Sequence, residues 1–371
     1  MKNKIIFNGF YGFQNSGDDA FVEISAWGNK HYWNNQNPAY FIGNELPQTN
    51  FPIKRVYPDK NKNRILQKLS VFSQALDTNY FINAGGSVFS KITPFSDIVF
   101  AEKAGIFNKK MKHGNIGVSI GPFQSIKDEK RIIEYLKKSS FLALRDAESY
   151  AYAKSIDLDY EPVKAFDLAA LLPECFAEMT NDKIEDNNKE TKVIGVSLCN
   201  YERYVAGDLE KEEKRNKFVE EVLKLIAQHN NIQFKFFIFN GNKSIGDEEL
   251  TNEMIAKLPN ENIEIIPYLN SVKSVWDEVK SCDFMFSIRL HASVFACYAN
   301  VPFMLVEYHR KCSDFLEDVG YSEDLRVFDA EISVEKAANN ILSILEGNYK
   351  PPHNIKNTIE RARLNFTEIK L

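Results

Sequence analysis

Several features that commonly identify an enzyme are missing from these 371 residues. Cysteine is sparse: Cys175, Cys199, Cys282, Cys297 and Cys312 are scattered, odd in number and form no CxxC pair. Neither a disulfide framework nor a zinc site is therefore indicated. No apolar run approaches the roughly 20 residues that span a bilayer, and the stretch Met1 to Phe7 is too short an apolar run for a signal peptide. Positive charge is not in excess, with 46 Lys and Arg against 51 Asp and Glu and a formal net charge of −5, which removes the electrostatic footprint of a nucleic-acid binder. There is no GxGxxG, no P-loop, no GxSxG elbow and no His-x-x-x-His pair. Asp157-Leu158-Asp159 spells the DxD of metal-dependent glycosyltransferases, but it falls in a loop between a helix and a strand and reads as chance. Internal repeats and low-complexity segments are absent as well. The expectation is a cytoplasmic, soluble protein with reduced thiols.

What is present is alternation. The chain exceeds the size at which one hydrophobic core stops growing, so two domains are expected. Its 44% hydrophobic and 26% charged residues and a mean hydropathy of −0.34 are those of a globular protein. The 28 Phe and 16 Tyr serve core packing first, although sugar stacking would use the same rings. Short apolar runs alternate with amphipathic helical patterns, the signature of βα units and parallel sheets. Strands near 4–8, 39–43, 79–83, 115–120, 141–145 and 163–166, with helices over 18–33, 62–76, 97–110, 127–138 and 147–155, make a first Rossmann-like domain, 1–177. Residues 178–192 are polar, acidic and free of aromatics, and read as a linker. A second Rossmann-like domain, 193–350, has strands near 193–198, 234–239, 263–267, 283–288 and 302–306. Its helices run near 211–228, 247–257, 271–280, 292–299, 312–318 and 333–346, and a helical tail, 351–371, packs back across the boundary. The expected fold class is α/β, two Rossmann-like domains facing a cleft.

The stretch Asp283 to Ala292 organises the rest. Apolar, β-prone residues through Ile288 read as a buried strand and Ala292 to Ala299 as a helix, which puts Arg289 and His291 at a strand's C-terminal end. Open α/β sheets bind ligands there. A guanidinium suits a planar anion, and an imidazole moves a proton near neutral pH.

Other constellations sit at comparable places. Gly9 to Ala20 follows the first strand and opens the first helix, where backbone amides favour an anion, although Asp18 reads equally as a helix N-cap. Asn83 to Phe89, with Gly85 and Gly86, and Ser119 to Phe123 read as glycine turns at strand ends. Arg145 is an anion ligand or the partner of Asp146 or Glu148, and Asp167 is a site acid or a helix cap. His309, Arg310 and Lys311 would complete an anion pocket or form a solvated cluster. The basic run Lys54, Arg55, Lys60, Lys62, Arg64 and Lys68 reads as a solvated face or as contact with an anionic membrane surface.

Taken in order, these motifs resemble the polysaccharide pyruvyl transferase family over roughly residues 5–320. The family's Asn-x-Gly-Asp loop corresponds to Asn15-Ser16-Gly17-Asp18, its Gly-Gly turn to Gly85-Gly86, and its Ser-x-Gly-Pro to Ser119 through Pro122. Arg145-Asp146 with Ser149, the Ser287-Ile288-Arg289-Leu290-His291 core and Tyr308 through Lys311 follow. Ser87 stands where a third glycine is usual, and Leu168 where a proline is common after the family's Asp. The resemblance implies a GT-B-like two-lobed fold, phosphoenolpyruvate as donor, and a pyruvate ketal on a sugar of a cell-surface polysaccharide or its lipid-linked precursor. It implies that Arg289, His291 and Lys311 hold the donor.

The residue chemistry agrees with that implication. A carboxylate and a phosphate on three carbons need two or three fixed cations, for which Arg289, Lys311 and Arg145 are the candidates. His291 is the candidate general acid, and Asp18 or Asp167 the base for a sugar hydroxyl. Asn15, Gly17, Gly85, Gly86 and Ser287 complete the expected substrate contacts. No metal or organic cofactor is required. The expected partners are phosphoenolpyruvate and a glycan or lipid-linked oligosaccharide acceptor, without nucleic acid, and with peripheral contact at the inner face of a membrane. Two alternatives stand beside this. One is a GT-B-type nucleotide-sugar glycosyltransferase with Glu307 on the ribose. The other is a non-catalytic carbohydrate-binding or scaffold protein.

Overall fold

The computed structural model describes residues 2–371 except 59–62, 178, 180–190, 206, 230 and 260–261. Apart from residues 179, 191 and 192, the segment expected to be a linker lies outside the described residues. The chain forms two compact units, one of residues 1–13, 18–175 and 357–371, the other of 14–17 and 176–356.

The first unit is built on β1 (Ile5–Asn8), β2 (Ala39–Phe41), β3 (Ile53–Arg55), β4 (Tyr80–Phe89), β5 (Lys112–Ile120), β6 (Phe141–Leu144) and β7 (Val163–Lys164). They pair in parallel in the order β3-β2-β1-β4-β5-β6-β7. This is a doubly wound sheet whose winding reverses between β1 and β4. Helix α1 (Ser16–His31) follows β1; α2 (Arg64–Ala75), α3 (Asp97–Gly105), α4 (Ile126–Lys137) and α5 (Ala147–Ser155) cover one face. Their inward residues, among them Val71, Ala101, Ile132 and Ala153, form one core with Ile6, Phe81 and Val118. A 3-10 turn, Leu168–Leu171, leads into α6 (Leu172–Ala177).

Polar groups also hold this sheet together. Asn8, Asn83 and Asn115 are register partners on β1, β4 and β5, and their amides hydrogen-bond in series at 2.7 and 2.8 Å. Asn83 and Asn115 are fully buried, so bonds to Tyr135 and Ser139 complete their satisfaction.

The second unit has β8 (Lys192–Ser197), β9 (Ile232–Phe237), β10 (Ile263–Ile266), β11 (Phe284–Ser287), β12 (Phe303–Glu307) and β13 (Val327–Phe328). These strands are also all parallel, in the order β10-β9-β8-β11-β12-β13, with the reversal between β8 and β11. Helices α7 (Tyr201–Val205), α8 (Leu209–Ile226), α9 (Glu248–Ile255), α10 (Val272–Lys280), α11 (Leu290–Tyr298), α12 (Arg310–Val319) and α13 (Val334–Leu345) surround it. The last helix, α14 (Ile355–Thr367), belongs from residue 357 to the first unit. There Phe366 lies against Gly28, and the Trp33 indole donates to the Phe366 and Ile369 carbonyls at 3.1 Å.

Two expectations change. Gly85-Gly86 is not a turn beyond a strand end but a kink inside the ten-residue β4, which continues to Phe89. Both glycines take positive φ, +75° and +78°, a conformation that bends the strand without ending the ladder to β5. The short elements β3, β13 and α7 have no counterpart in the sequence reading. Each is too brief to show a periodicity.

Candidate active site

In the second unit the candidate residues gather at the switch point between β8 and β11. β11 ends at Ser287, and α11 begins at Leu290 with Arg289 as its N-cap position, so Arg289 and His291 lie at the strand's C-terminal end. Arg289 does not sit there alone. Its Nε donates to Asp247 Oδ2 at 2.7 Å and one Nη to Asp247 Oδ1 at 2.5 Å, a bidentate pair. Asp247 is fully buried, and the Asn240 amide also donates to its Oδ2 at 2.9 Å. Burial opposes the charge on Arg289, but Asp247 and the neighbouring Cys199 and Tyr308 reverse that and raise its pKa. The guanidinium therefore stays cationic, with one edge held by the carboxylate and the opposite edge turned away from it. Cys199, just past β8, has its thiol pushed up to about 12 by burial and remains protonated.

Residues 14–17 join this unit. Asn15 and Asn240 form an antiparallel bridge, Ser16 N donates to the Phe239 carbonyl at 2.9 Å, and Gly241 N donates to the Gln14 carbonyl at 2.8 Å. The Asn15 carboxamide oxygen accepts from Gly17 N at 3.1 Å, so Asn15, not Asp18, caps α1. Asp18 lies in the helix's first turn. A Cβ on Gly17 would come within 2.3 Å of His291 Nδ1. The glycine of the first motif is thus the surface against which the imidazole of the fifth one packs.

Three further expectations resolve at this end of the sheet. Ser287 is 2% exposed and its hydroxyl pairs with that of Ser293 at 2.8 Å, which ties β11 to α11. His309, Arg310 and Lys311 do not form one cluster of three equivalent cations. The His309 Nδ1 accepts from the Lys311 amide at 3.1 Å and caps α12, while burial and Lys311 lower its pKa and keep it neutral. Arg310 faces Asp314 at 3.6 Å, and Lys311 is an exposed cation on the first turn of α12. Glu307 is fully buried with Arg326 on both carboxylate oxygens at 2.9 and 2.5 Å, so it is not available to a ribose.

The first unit brings its own motifs together differently. Arg145 Nε donates to Ser119 Oγ at 2.8 Å, one Nη to Asp167 Oδ2 at 2.7 Å and the other to Ser87 Oγ at 3.2 Å. All three nitrogens are engaged, and the partner is Asp167, not Asp146 or Glu148. Asp167 at the same time caps the 3-10 turn through Ala169 N at 2.9 Å. Asp146 caps α5 through Ser149, whose hydroxyl accepts from Ile120 N at 2.8 Å. Gly85 packs under Phe21, where a Cβ would meet the ring at 2.3 Å, and Gly86 has more room. Ser87, the departure from a third glycine, supplies one of the Arg145 contacts.

Asp247 is the functional residue missed by sequence reasoning, which placed it only at the start of a helix. Its partner lies 42 residues away, and no local spacing signals the pair. Among the described residues, no group of three or more His, Cys, Asp or Glu side chains is placed to hold a metal ion.

The polysaccharide pyruvyl transferase family model matches residues 16–310. No protein of curated description matches the chain in sequence. In structure, the chain is similar to the UDP-GlcNAc 2-epimerase of Methanocaldococcus jannaschii (TM-score 0.62, 13% identity, 98% of each chain covered). It is also similar to the Neisseria meningitidis UDP-GlcNAc 2-epimerase bound to UDP-GlcNAc (0.59, 11%, 100% of each chain). A third similar structure is Anabaena HepE in complex with UDP and glucose (0.54, 10%, 98% of this chain and 95% of that one). At these identities the likeness shows the GT-B-like fold alone. The chain belongs to the polysaccharide pyruvyl transferase family.

Proposed function

From that membership we propose that the protein transfers pyruvate from phosphoenolpyruvate to two hydroxyls of a sugar in a polysaccharide or its lipid-linked precursor. The observation that carries the reading is the cation at the switch point: a partly buried, permanently charged Arg289 held on one edge by Asp247, two residues before an imidazole seated on Gly17. The guanidinium edge facing away from Asp247 suits a carboxylate or phosphate. Lys311 belongs to the neighbouring β12–α12 unit and supplies a second cation one strand over.

In this reading His291 delivers a proton to the methylene carbon of phosphoenolpyruvate, turning CH2 into CH3 and making C2 electrophilic. A sugar hydroxyl adds to C2, with its proton taken by a base for which Asp18, next to Gly17 in the chain, is the candidate. Phosphate leaves with the C2–O bond electrons, and a second hydroxyl closes the ketal. The second hydroxyl's proton returns to His291, replacing the one placed on the methyl carbon, and the proton held by the base leaves with the phosphate. The products are then the ketal and inorganic phosphate, and neither metal nor organic cofactor enters. Arg145, whose nitrogens are engaged inside the first unit, acts here as a positioning residue rather than a donor ligand.

The test is release of phosphate from phosphoenolpyruvate across a panel of galactose-, mannose- and N-acetylhexosamine-containing acceptors, alongside thermal protection by phosphoenolpyruvate and by UDP-sugars. Acceptor-dependent phosphate release supports the proposal. Protection by UDP-sugars alone, with no phosphate released, would sink it in favour of a nucleotide-sugar enzyme.

A further inference from the structure

The first unit exposes an apolar surface that its own fold leaves uncovered. Helix α2 has no acidic residue, and its inward side (Val71, Ala75) is buried in the core. The outward side should then be polar, as on an ordinary amphipathic helix. It is not. Ile65 is 61% exposed, Leu69 52% and Leu76, at its C-cap, 43%, and with the half-buried Phe72 they repeat at helical spacing along one side. At the end of α3, Ile106 and Phe107 are 68% and 74% exposed, and the Phe107 ring meets Phe72 edge-on at 6.1 Å between centroids. The two helices therefore present a joined apolar surface, larger than the single scattered residues normal on a soluble protein.

Among the described residues, the exposed charges around this surface are mostly basic. Arg64 opens α2, Lys103 lies on α3, and Lys109 and Lys110 follow Phe107; all four are exposed. The nearby acidic groups are already matched: Asp97 by Lys68 at 2.7 Å, Glu102 by Arg131 and Asp77 by Lys4. A rim in which Asp77 is the one exposed acid, paired with Lys4, and four exposed groups are basic thus lies on a chain whose net charge is −5.

We propose that this α2–α3 surface docks the protein onto a bilayer rich in anionic phospholipid, with Ile65, Leu69, Ile106 and Phe107 entering the interface and the basic rim meeting the headgroups. Apolar side chains surrounded by Lys and Arg are the pattern of interfacial binding, in which insertion and headgroup attraction add. A second copy of the chain fits less well, because twofold self-pairing brings the cationic rim against itself. The proposal does not depend on the reaction assigned to the site, since every residue it uses lies outside that site.

The test is co-sedimentation of the full chain with vesicles of phosphatidylcholine alone and with phosphatidylglycerol added. The expected result is binding to the anionic vesicles only, weakened at about 1 M salt, where screening acts over about 3 Å. A triple substitution, Ile65→Ser, Leu69→Ser and Phe107→Ser, should lower partitioning by at least about tenfold. Lys109→Ser with Lys110→Ser should lower it less and reduce the salt dependence. The substituted residues are exposed, so unchanged melting temperatures confirm folded variants, and Leu69→Ser alone serves if the triple does not fold. Undiminished binding by the apolar variant overturns the proposal. So does failure of the native protein to bind anionic vesicles, including the case where sedimentation velocity instead shows a dimer that Leu69→Ser dissolves.

Discussion

The two units share a sheet order, read outward from the reversal, and place an arginine at comparable strand ends, yet the two arginines have opposite surroundings. Arg145 is the centre of a closed arrangement in which Ser87, Ser119 and Asp167 occupy all three nitrogens and join β4, β5 and the 3-10 turn. Arg289 meets one carboxylate, on one edge, from a residue that is itself fully buried. A bidentate partner on one edge aims a guanidinium; one partner on each of the three nitrogens fixes it in place within the unit. The same side chain at the end of the same kind of strand thus meets three separate partners in one unit and a single carboxylate in the other. Motif position alone does not tell the two roles apart.

That contrast can be broken by experiment. The largest effect is expected from His291→Ala, which should lower phosphoenolpyruvate-dependent phosphate release by about a hundred- to ten-thousand-fold while leaving the unfolding transition in place. Arg145→Ala should show the reverse, a lowered transition with an unaltered KM for phosphoenolpyruvate among the molecules that remain folded. A raised KM there would mean that Arg145 also holds the donor. Next in size is Asp247→Ala, which leaves the Arg289 guanidinium buried without its partner at a cost of about 3–5 kcal/mol, measurable by denaturant unfolding.

One pH dependence of stability comes from the first unit. His113 lies between the Phe81 and Tyr135 rings, and burial, assisted by Lys138, lowers its pKa from 6.5 to about 4. Between those values the unfolded chain binds a proton that the folded chain refuses. Stability therefore falls as pH drops from 6.5 toward 4, by at most about 3 kcal/mol from this group, and His113→Leu should flatten that slope in urea titrations at pH 7 and 4.5. The smallest effect should come from Ser87→Gly, which removes one 3.2 Å contact to Arg145 and about 1 kcal/mol of stability.

How much of this was legible in the sequence depended on the range of the signal. The alternation of apolar runs and helical patterns located β1, β5, β11 and α8 to within a few residues, because their burial is periodic and local. The place of Arg289 and His291 followed from strand-then-helix order alone. What could not be read were pairings made by topology: Arg145 reaches Asp167 past the acid beside it, and Asp247 reaches Arg289 through the loop after β9. The Gly85-Gly86 pair misled for a different reason. Positive φ serves a kink as readily as a turn, and only the pairing partner on β5 distinguishes them. Membership in the family was legible from the order of the motifs, but the roles of Ser287 and Glu307 were not, because burial decided them.

The return of residues 357–371 to the first unit has a consequence for how the chain is made. Phe366, 1% exposed, fills the space beside Gly28, and Trp33 finds its hydrogen-bond acceptors on Phe366 and Ile369. During synthesis these residues leave the ribosome only after the whole second unit. The first unit is therefore completed only after the second, and until then the indole of Trp33 lacks its acceptors on Phe366 and Ile369 and the space beside Gly28 is unfilled. A chain truncated before residue 357 would display that unfinished surface.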